Sequence, residues 1–261
     1  MSDALLKPFL DSPQTSGVFL DFDGTLSEIV HVPHEARPVE GAREMLDALA
    51  RRFKVVAIVS GRSARQLVEW LGPEVEIWGT HGAERASGGS VEVVESVRPH
   101  VELMQRVRDE AAEMMGTLGD PGIHLEDKTV MLGLHFRAAS DVSAAERSLR
   151  EVAEALAEKH GLTVAGGRLA FELRPPIELS KAAVVLQRAR EAELTAAAFA
   201  GDDRVDLPGF DALDALGEEG VATLRIAVSS DEVPEALLRR ADAVVDGPLG
   251  AVAFLQRLLS G

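Results

Sequence analysis

Two acidic pairs stand where apolar runs end. Asp21 and Asp23 close the run 17–22 and are followed at once by Gly24 and Thr25; Asp202 and Asp203 close the run 195–201, with Asp206 just beyond. Between them lie Ser60-Gly61-Arg62, at the end of another apolar run, and Lys181, which opens a helical pattern after Ser180. Carboxylates gathered at one place repel one another unless a cation lies among them. In a chain without cysteine, hard oxygen ligands suit Mg2+ better than zinc. Side chains two apart on a strand share a side, so Asp21 and Asp23 start out together, one fit to be a nucleophile and the other a general acid. Gly24 allows a sharp turn after them, and the Lys181 ammonium suits a phosphoryl oxygen.

These residues need a scaffold that brings distant strand ends to one edge. The run 17–22 and the run KVVAIV before Ser60 read as fully buried strands, separated by a helical pattern over 40–52. A helix over 63–72, closed by a glycine, leads to a third strand in VEIWGTHGAE. Strand–helix alternation argues for an α/β fold with a doubly wound, mostly parallel sheet. Ligands of such sheets sit beyond the carboxyl ends of the strands, where the acidic pairs fall. The middle differs: helix (99–118), strands around a turn (GIHLEDKTVMLGLHFR), helix (141–160), then LTVAGGRLAFELRP with Gly166-Gly167 as its hairpin signal. That pattern predicts an inserted α+β domain over 101–174, with 1–100 and 175–261 forming the core. From Ser180 the alternation of helices and strands resumes to the end of the chain.

The 46% apolar content is enough for a substantial core. A net charge of −16 opposes non-specific binding to nucleic acid, although a local pocket can still accept a small anion. No run is long enough to span a membrane, and the N-terminal residues lack the pattern of a signal peptide. The expectation is a soluble, cytoplasmic protein; the monomer is the favoured state, though nothing in the chain fixes it.

DFDGTL, SGR, SK and GDD, in that order, resemble the four motifs of the haloacid dehalogenase superfamily of phosphatases. The resemblance implies a Rossmann-like core, Mg2+ and an aspartyl-phosphate intermediate on Asp21. Asp23 is implied as general acid and then base. The Asp21 side chain, the Asp23 carbonyl and Asp202 are the implied metal ligands, with Asp203, Asp206 and Thr25 around them. Ser60, Gly61 and Lys181 are implied to hold phosphoryl oxygens. Within that superfamily DFDGTLSEIV, SGRS, GTHGAE, LEDKTVMLGLHFR and FELRP are similar to segments of the trehalose-6-phosphate phosphatases. The likeness makes the insertion a cap and maps sugar-hydroxyl contacts onto Glu126, Lys128 and Glu172. Arg62, His81, Glu84, Arg137 and Arg174 lie in matching segments and join the substrate-binding candidates. The chain departs from the family pattern at Val205, Leu207 and Ala182, which bears on the surroundings of the metal site.

Plainer roles exist for several of these residues. Ser60-Gly61 can cap the following helix, Glu126 and Lys128 can form a surface ion pair, and His81 can bond within its own loop. His31 and His34 read as surface residues of a proline-rich loop, and Trp70 and Trp78 as core. Four other functions share the motifs: a sucrose-phosphate phosphatase, a glycosyl-phosphoglycerate phosphatase, a phosphohexomutase, and a non-catalytic sugar-phosphate-binding partner of a synthase.

Overall fold

Strands β1 (Ser16–Leu20), β2 (Val55–Val59) and β10 (Ala196–Gly201) are buried at every position, as strands covered on both faces must be. The computed structural model describes residues 3–30, 33–167, 169–231 and 233–259. In chain order the remaining elements of the first half are α1 (Lys7–Asp11), α2 (Ala42–Arg52), α3 (Ala64–Leu71), β3 (Glu76–Gly79), β4 (Glu84–Ser87) and β5 (Ser90–Val93). The middle holds α4 (Arg98–Gly116), β6 (His124–Asp127), β7 (Leu132–His135), α5 (Val142–His160), β8 (Thr163–Gly167) and β9 (Ala170–Arg174). The last part holds α6 (Lys181–Glu191), α7 (Leu207–Glu218), β11 (Ala222–Ser229), α8 (Glu235–Arg240), β12 (Ala243–Asp246) and α9 (Gly247–Gln256).

The large sheet has the order β12-β11-β10-β1-β2-β3-β4-β5. It is parallel from β12 to β3, and β4 then runs antiparallel to β3. The chain therefore leaves β1 on one side through β2 and returns on its other side at β10. This reversal opens a crevice at the carboxyl end of β1, where such sheets bind ligands. The hairpin of β4 and β5 was not foreseen; VEIWGTHGAE reads as one strand and a loop. Leu20, Leu46, Ile58, Leu67 and Ile226 are among the fully buried residues on which the sheet and its helices pack.

The chain divides into two compact units, 1–92 with 179–261, and 93–178. The second begins before residue 101 because α4 is one continuous helix from Arg98. Its sheet has the order β6-β7-β9-β8 and is antiparallel. Leu132, Leu134, Phe171 and Leu173 face α4 and α5, meeting Met104, Val107, Leu149 and Val152 in a separate core. Asp141 caps α5 by accepting the Ala144 N–H at 2.9 Å. Gly166 and Gly167 pair with Phe171 and Ala170, so they end β8 and the turn lies beyond them, with Leu169 at φ 58°. His34 is exposed, and His31 lies outside the described residues. Among the described residues no helix is long and apolar enough to cross a membrane.

Candidate active site

Strand β1 pairs with β10 as far as Leu20, after which the Asp21 N–H still reaches the Ala200 carbonyl at 2.9 Å. Asp21 thus begins the turn, and the expected strand alternation does not extend to Asp23. The turn is wound around one acceptor: the Phe22 carbonyl takes the N–H groups of Thr25, Leu26 and Ser27 at 3.3, 2.8 and 3.0 Å. Gly24 sits at φ +75°, and a Cβ there would lie 2.0 Å from the Asp202 carboxylate. Glycine is required twice over, by conformation and by the approach of β10's loop.

Asp21, Asp202 and Asp206 are all buried, and each offers an oxygen within 4.8 Å of the others. Lys181, also buried, donates to Asp21 Oδ1 at 2.5 Å and to Asp206 Oδ1 at 2.5 Å. Ser180 holds this lysine at the start of α6 by accepting the Ala183 N–H at 3.1 Å. Asp206 Oδ2 accepts the N–H groups of Asp202 at 3.0 Å and Asp203 at 3.1 Å. Its lone pairs are therefore largely used, and its work is to shape the 202–206 turn. Gly201 permits this, since a Cβ would meet the Asp206 side chain at 2.4 Å. Asp203 is exposed and accepts the Arg204 N–H at 2.6 Å.

Burial pushes the Asp21 carboxyl up to about 7; Lys181 opposes the rise and Asp206 adds to it. Burial, then Asp21 and Asp206, push Asp202 up to about 8. Burial also works against the Lys181 charge, but Asp206 and Asp21 outweigh it and hold the ammonium above its ordinary value. One ammonium does not offset three buried carboxylates. The donor set of hard oxygens fits a divalent cation of the magnesium type, with Asp21 and Asp202 free to supply ligands. Thr25 Oγ1 and Thr80 Oγ1 are buried without a hydrogen-bond partner among the described residues.

Asp23 faces elsewhere. Its side chain is 42% exposed, and Arg62 grips it with two bonds, Nε to Oδ2 at 2.7 Å and a terminal nitrogen to Oδ1 at 2.6 Å. Ser60, buried at the end of β2, accepts the Arg62 N–H on Oγ at 3.3 Å. The cap of α3 is Ser63 rather than Ser60, since Ser63 accepts the Gln66 N–H at 3.4 Å. Glu84 accepts the Ala64 N–H at 2.7 Å and is buried. Its side chain thus meets the first backbone N–H of α3 and helps to place that helix. Thr80 and His81 adopt φ 51° and 56°, conformations that cost of order 1–3 kcal/mol for non-glycine residues. They are held by Thr80 N–H to the Arg62 carbonyl (2.8 Å) and His81 N–H to the Ser60 carbonyl (2.9 Å). A Cβ on Gly61 would lie 3.0 Å from the His81 ring. The loop at 80–82 therefore buttresses the Ser60-Gly61-Arg62 segment.

In the second unit, Glu126, Gly133, Glu172 and Ala165 form one row across the sheet. Lys128 lies 3.0 Å from Glu172 and 3.5 Å from Glu126, and Arg174 also pairs with Glu172. Burial opposes the Glu172 charge, but Lys128 and Arg174 prevail and hold its carboxyl down to about 2. His135 Nε2 lies 2.9 Å from Glu126 Oε2, which lowers the Glu126 value. Gly133 leaves room for that pair, because a Cβ would stand 2.7 Å from His135 Nε2. Sequence reasoning missed His135; its only signal is a place two residues after Gly133 in LGLH. Arg137 follows β7 and is exposed. Val205 is exposed and Leu207 begins α7, while the Asp206 bonds described above remain intact.

An open, mostly parallel sheet with acidic loops at its switch point and an inserted α+β unit defines a haloacid dehalogenase-like fold. A haloacid dehalogenase-like hydrolase from Bacteroides thetaiotaomicron shares it, with a TM-score of 0.61 over 94% of this chain and 100% of that one at 15% identity. The C-terminal domain of the trehalose-6-phosphate phosphatase of C. albicans superposes with a TM-score of 0.74 over 98% of this chain and 96% of that one, at 24% identity. The family model for trehalose-phosphatase matches residues 19–243, and the chain belongs to that family. A curated trehalose-phosphate phosphatase of Mycobacterium avium is 34% identical over 253 residues, covering 92% of this chain and 61% of the relative. The chain thus spans about three-fifths of that relative's length.

Proposed function

We propose that the protein is a magnesium-dependent phosphatase that hydrolyses trehalose 6-phosphate to trehalose and phosphate. The observation that carries the reading is the buried cluster of Asp21, Asp202 and Asp206 with Lys181 at the switch point. Family membership supplies the substrate class, and the polar face of the second unit's sheet offers the partners that vicinal hydroxyls take. In this reading Asp21 attacks phosphorus as the ester oxygen departs. The new bond is aspartyl oxygen to phosphorus, the bond to the sugar breaks, and the leaving oxygen takes a proton from Asp23. Asp23 then accepts a proton from the water that attacks the aspartyl phosphate, and Asp21 is freed as phosphate leaves. Ser60 and Lys181 hold phosphoryl oxygens, while Asp206 keeps the 202–206 turn in shape. A bound cation, held by Asp21 and Asp202, supplies positive charge against the phosphoryl oxygens and the nucleophile. Glu126, Lys128, Glu172, Arg137 and Arg174 recognise the sugar.

The test is phosphate release by purified protein from a panel of sugar phosphates, with magnesium and with EDTA. Preference for trehalose 6-phosphate, lost in EDTA, is the expected result. A strong preference for sucrose phosphate or a glycosyl phosphoglycerate overturns the substrate, and phosphate transfer without release points to a mutase. No release with any ester overturns catalysis.

A further inference from the structure

We infer that Trp70 is a positioning residue for Asp23 and acts through Arg62. The inference rests on the phosphatase reading above, in which Asp23 is the acid and base. The Arg62 guanidinium lies 5.0 Å from the centre of the Trp70 ring and 5.7 Å from that of Phe22. The two rings stack on each other at 5.4 Å with 28° between their planes. Gln66 adds an acceptor at 3.4 Å from a terminal nitrogen of Arg62. From this aromatic platform the same guanidinium makes its two bonds to Asp23.

Exposure shows which way the arrangement works. The Arg62 side chain is 11% exposed and the Asp23 side chain 42%, so the cation is the fixed member of the pair. An arginine has many rotamers to lose, and a two-bond grip needs the plane of its fork to be set. Stacking against an indole face sets that plane, and a partly desolvated cation–aromatic contact is itself favourable. Arg37 lies 5.4 Å from the same indole and donates to the carbonyls of His34 at 2.8 Å and Ala36 at 2.6 Å. Trp70 therefore joins the loop after the first acidic pair to the Arg62–Asp23 clamp. Trp78 also lies under a guanidinium, that of Arg85 at 5.4 Å. Arg85, however, pairs with Glu76 at 3.1 Å, the same carboxylate to which the buried Trp78 donates from Nε1 at 2.8 Å, so that stack leads to no candidate site residue.

Leaving-group dependence separates positioning from general damage. A sugar oxygen needs a proton as it leaves, whereas p-nitrophenolate does not, and kcat/KM reports steps up to that departure. Trp70→Leu should lower kcat/KM on trehalose 6-phosphate by about ten-fold or more, part of the roughly 10²–10⁴ that a general acid contributes. On p-nitrophenyl phosphate the loss should stay within about three-fold, since that ester does not call on the acid. Trp70→Phe, which keeps an aromatic face, should recover most of the loss. In an Arg62→Ala background Trp70→Leu should add nothing, because residues that act as one unit are not additive. Equal losses on both esters, or full additivity in the double variant, overturn the inference.

A second arm needs no turnover. The chain has two tryptophans, so Trp78→Phe leaves Trp70 as the sole indole, and Arg62→Ala should then shift its fluorescence emission. An unchanged spectrum also overturns the inference. Preference for a different sugar ester overturns only the substrate assignment, and the comparison is then made with that ester. A protein that hydrolyses neither ester but shows the emission shift retains the Trp70–Arg62 contact and loses both the phosphatase reading and this inference.

Discussion

Raising the pH in the absence of a divalent cation should destabilise the protein between about pH 5 and 8, and magnesium should offset part of that loss. Asp21 is raised to about 7 and Asp202 to about 8, from an ordinary 3.8. A carboxyl raised in the folded state binds its proton more tightly there than in the unfolded chain. Its contribution is fully present below the ordinary value and is lost as pH climbs through the folded value. At about 1.4 kcal/mol per pKa unit, each group is worth several kcal/mol by order of magnitude, against a whole-protein stability of roughly 5–15 kcal/mol. Below about pH 4.5 the sign reverses. Glu172, held down to about 2 by Lys128 and Arg174 against burial, contributes stability that is lost on acidification. The window above pH 5 therefore isolates the buried cluster.

A cation present at about a hundred times its Kd adds about 2.7 kcal/mol, and a chain of this size gains about 2–4 °C in Tm per kcal/mol. Thermal melts in EDTA and in magnesium, taken from pH 5 to 8, should thus diverge by about 5–10 °C at the alkaline end. Asp202→Asn should flatten the EDTA curve and shrink the magnesium response. A melting temperature in EDTA that is flat or rising over this window refutes the reasoning. So does a magnesium response that Asp202→Asn leaves unchanged.

Asp21→Asn should abolish phosphate release while far-UV circular dichroism remains that of the parent protein. Asp23→Asn should lower turnover of a sugar phosphate by about 10²–10⁴, measured by steady-state phosphate release. Gly24→Ala forces a Cβ to within 2.0 Å of the Asp202 carboxylate at φ +75°; calorimetric titration should show loss of magnesium binding. Glu172→Gln should raise KM for the sugar phosphate and leave hydrolysis of p-nitrophenyl phosphate within about three-fold, because a hydroxyl contact serves binding of the sugar alone.

The parallel core was legible because its strands are short unbroken apolar runs; 196–201 is rich in alanine, and its length and the Gly201 that ends it mark a strand rather than a helix. The candidate residues at the switch point were legible for a related reason. Acidic residues directly after a buried strand are costly unless something uses them, so their positions stand out. What the sequence hid is partnership. Asp23 and Arg62 are 39 residues apart, and no local pattern says that they pair. Trp70 reads as ordinary core, because only the fold lays its ring under a guanidinium. His135 joins Glu126 through cross-strand register, which depends on where β6 and β7 meet. The hairpin of β4 and β5 was missed because its second strand is only four residues long and buries none of them fully, so its alternation of exposed and half-buried positions leaves little apolar signal. The turn after Gly167 was misplaced because glycines mark both turns and strand ends.

The charges of the cluster also order the events at the site. Asp21, Asp202 and Asp206 carry three negative charges when ionised, and Lys181 carries one positive charge between two of them. Without a cation the raised values of Asp21 and Asp202 confine that state to alkaline pH, where the remainder is two negative charges in a buried space. A phosphate ester dianion approaching to about 5 Å meets repulsion of about 3–4 kcal/mol per charge pair, taking an effective dielectric near 20. A dication brings the site to neutrality and removes most of that barrier. Arg62 contributes little toward it, because its guanidinium is already spent on Asp23. In the proposed reaction the cation would therefore arrive before the phosphate or with it. At concentrations of magnesium below its Kd, extra sugar phosphate should not restore the rate, whereas extra magnesium should.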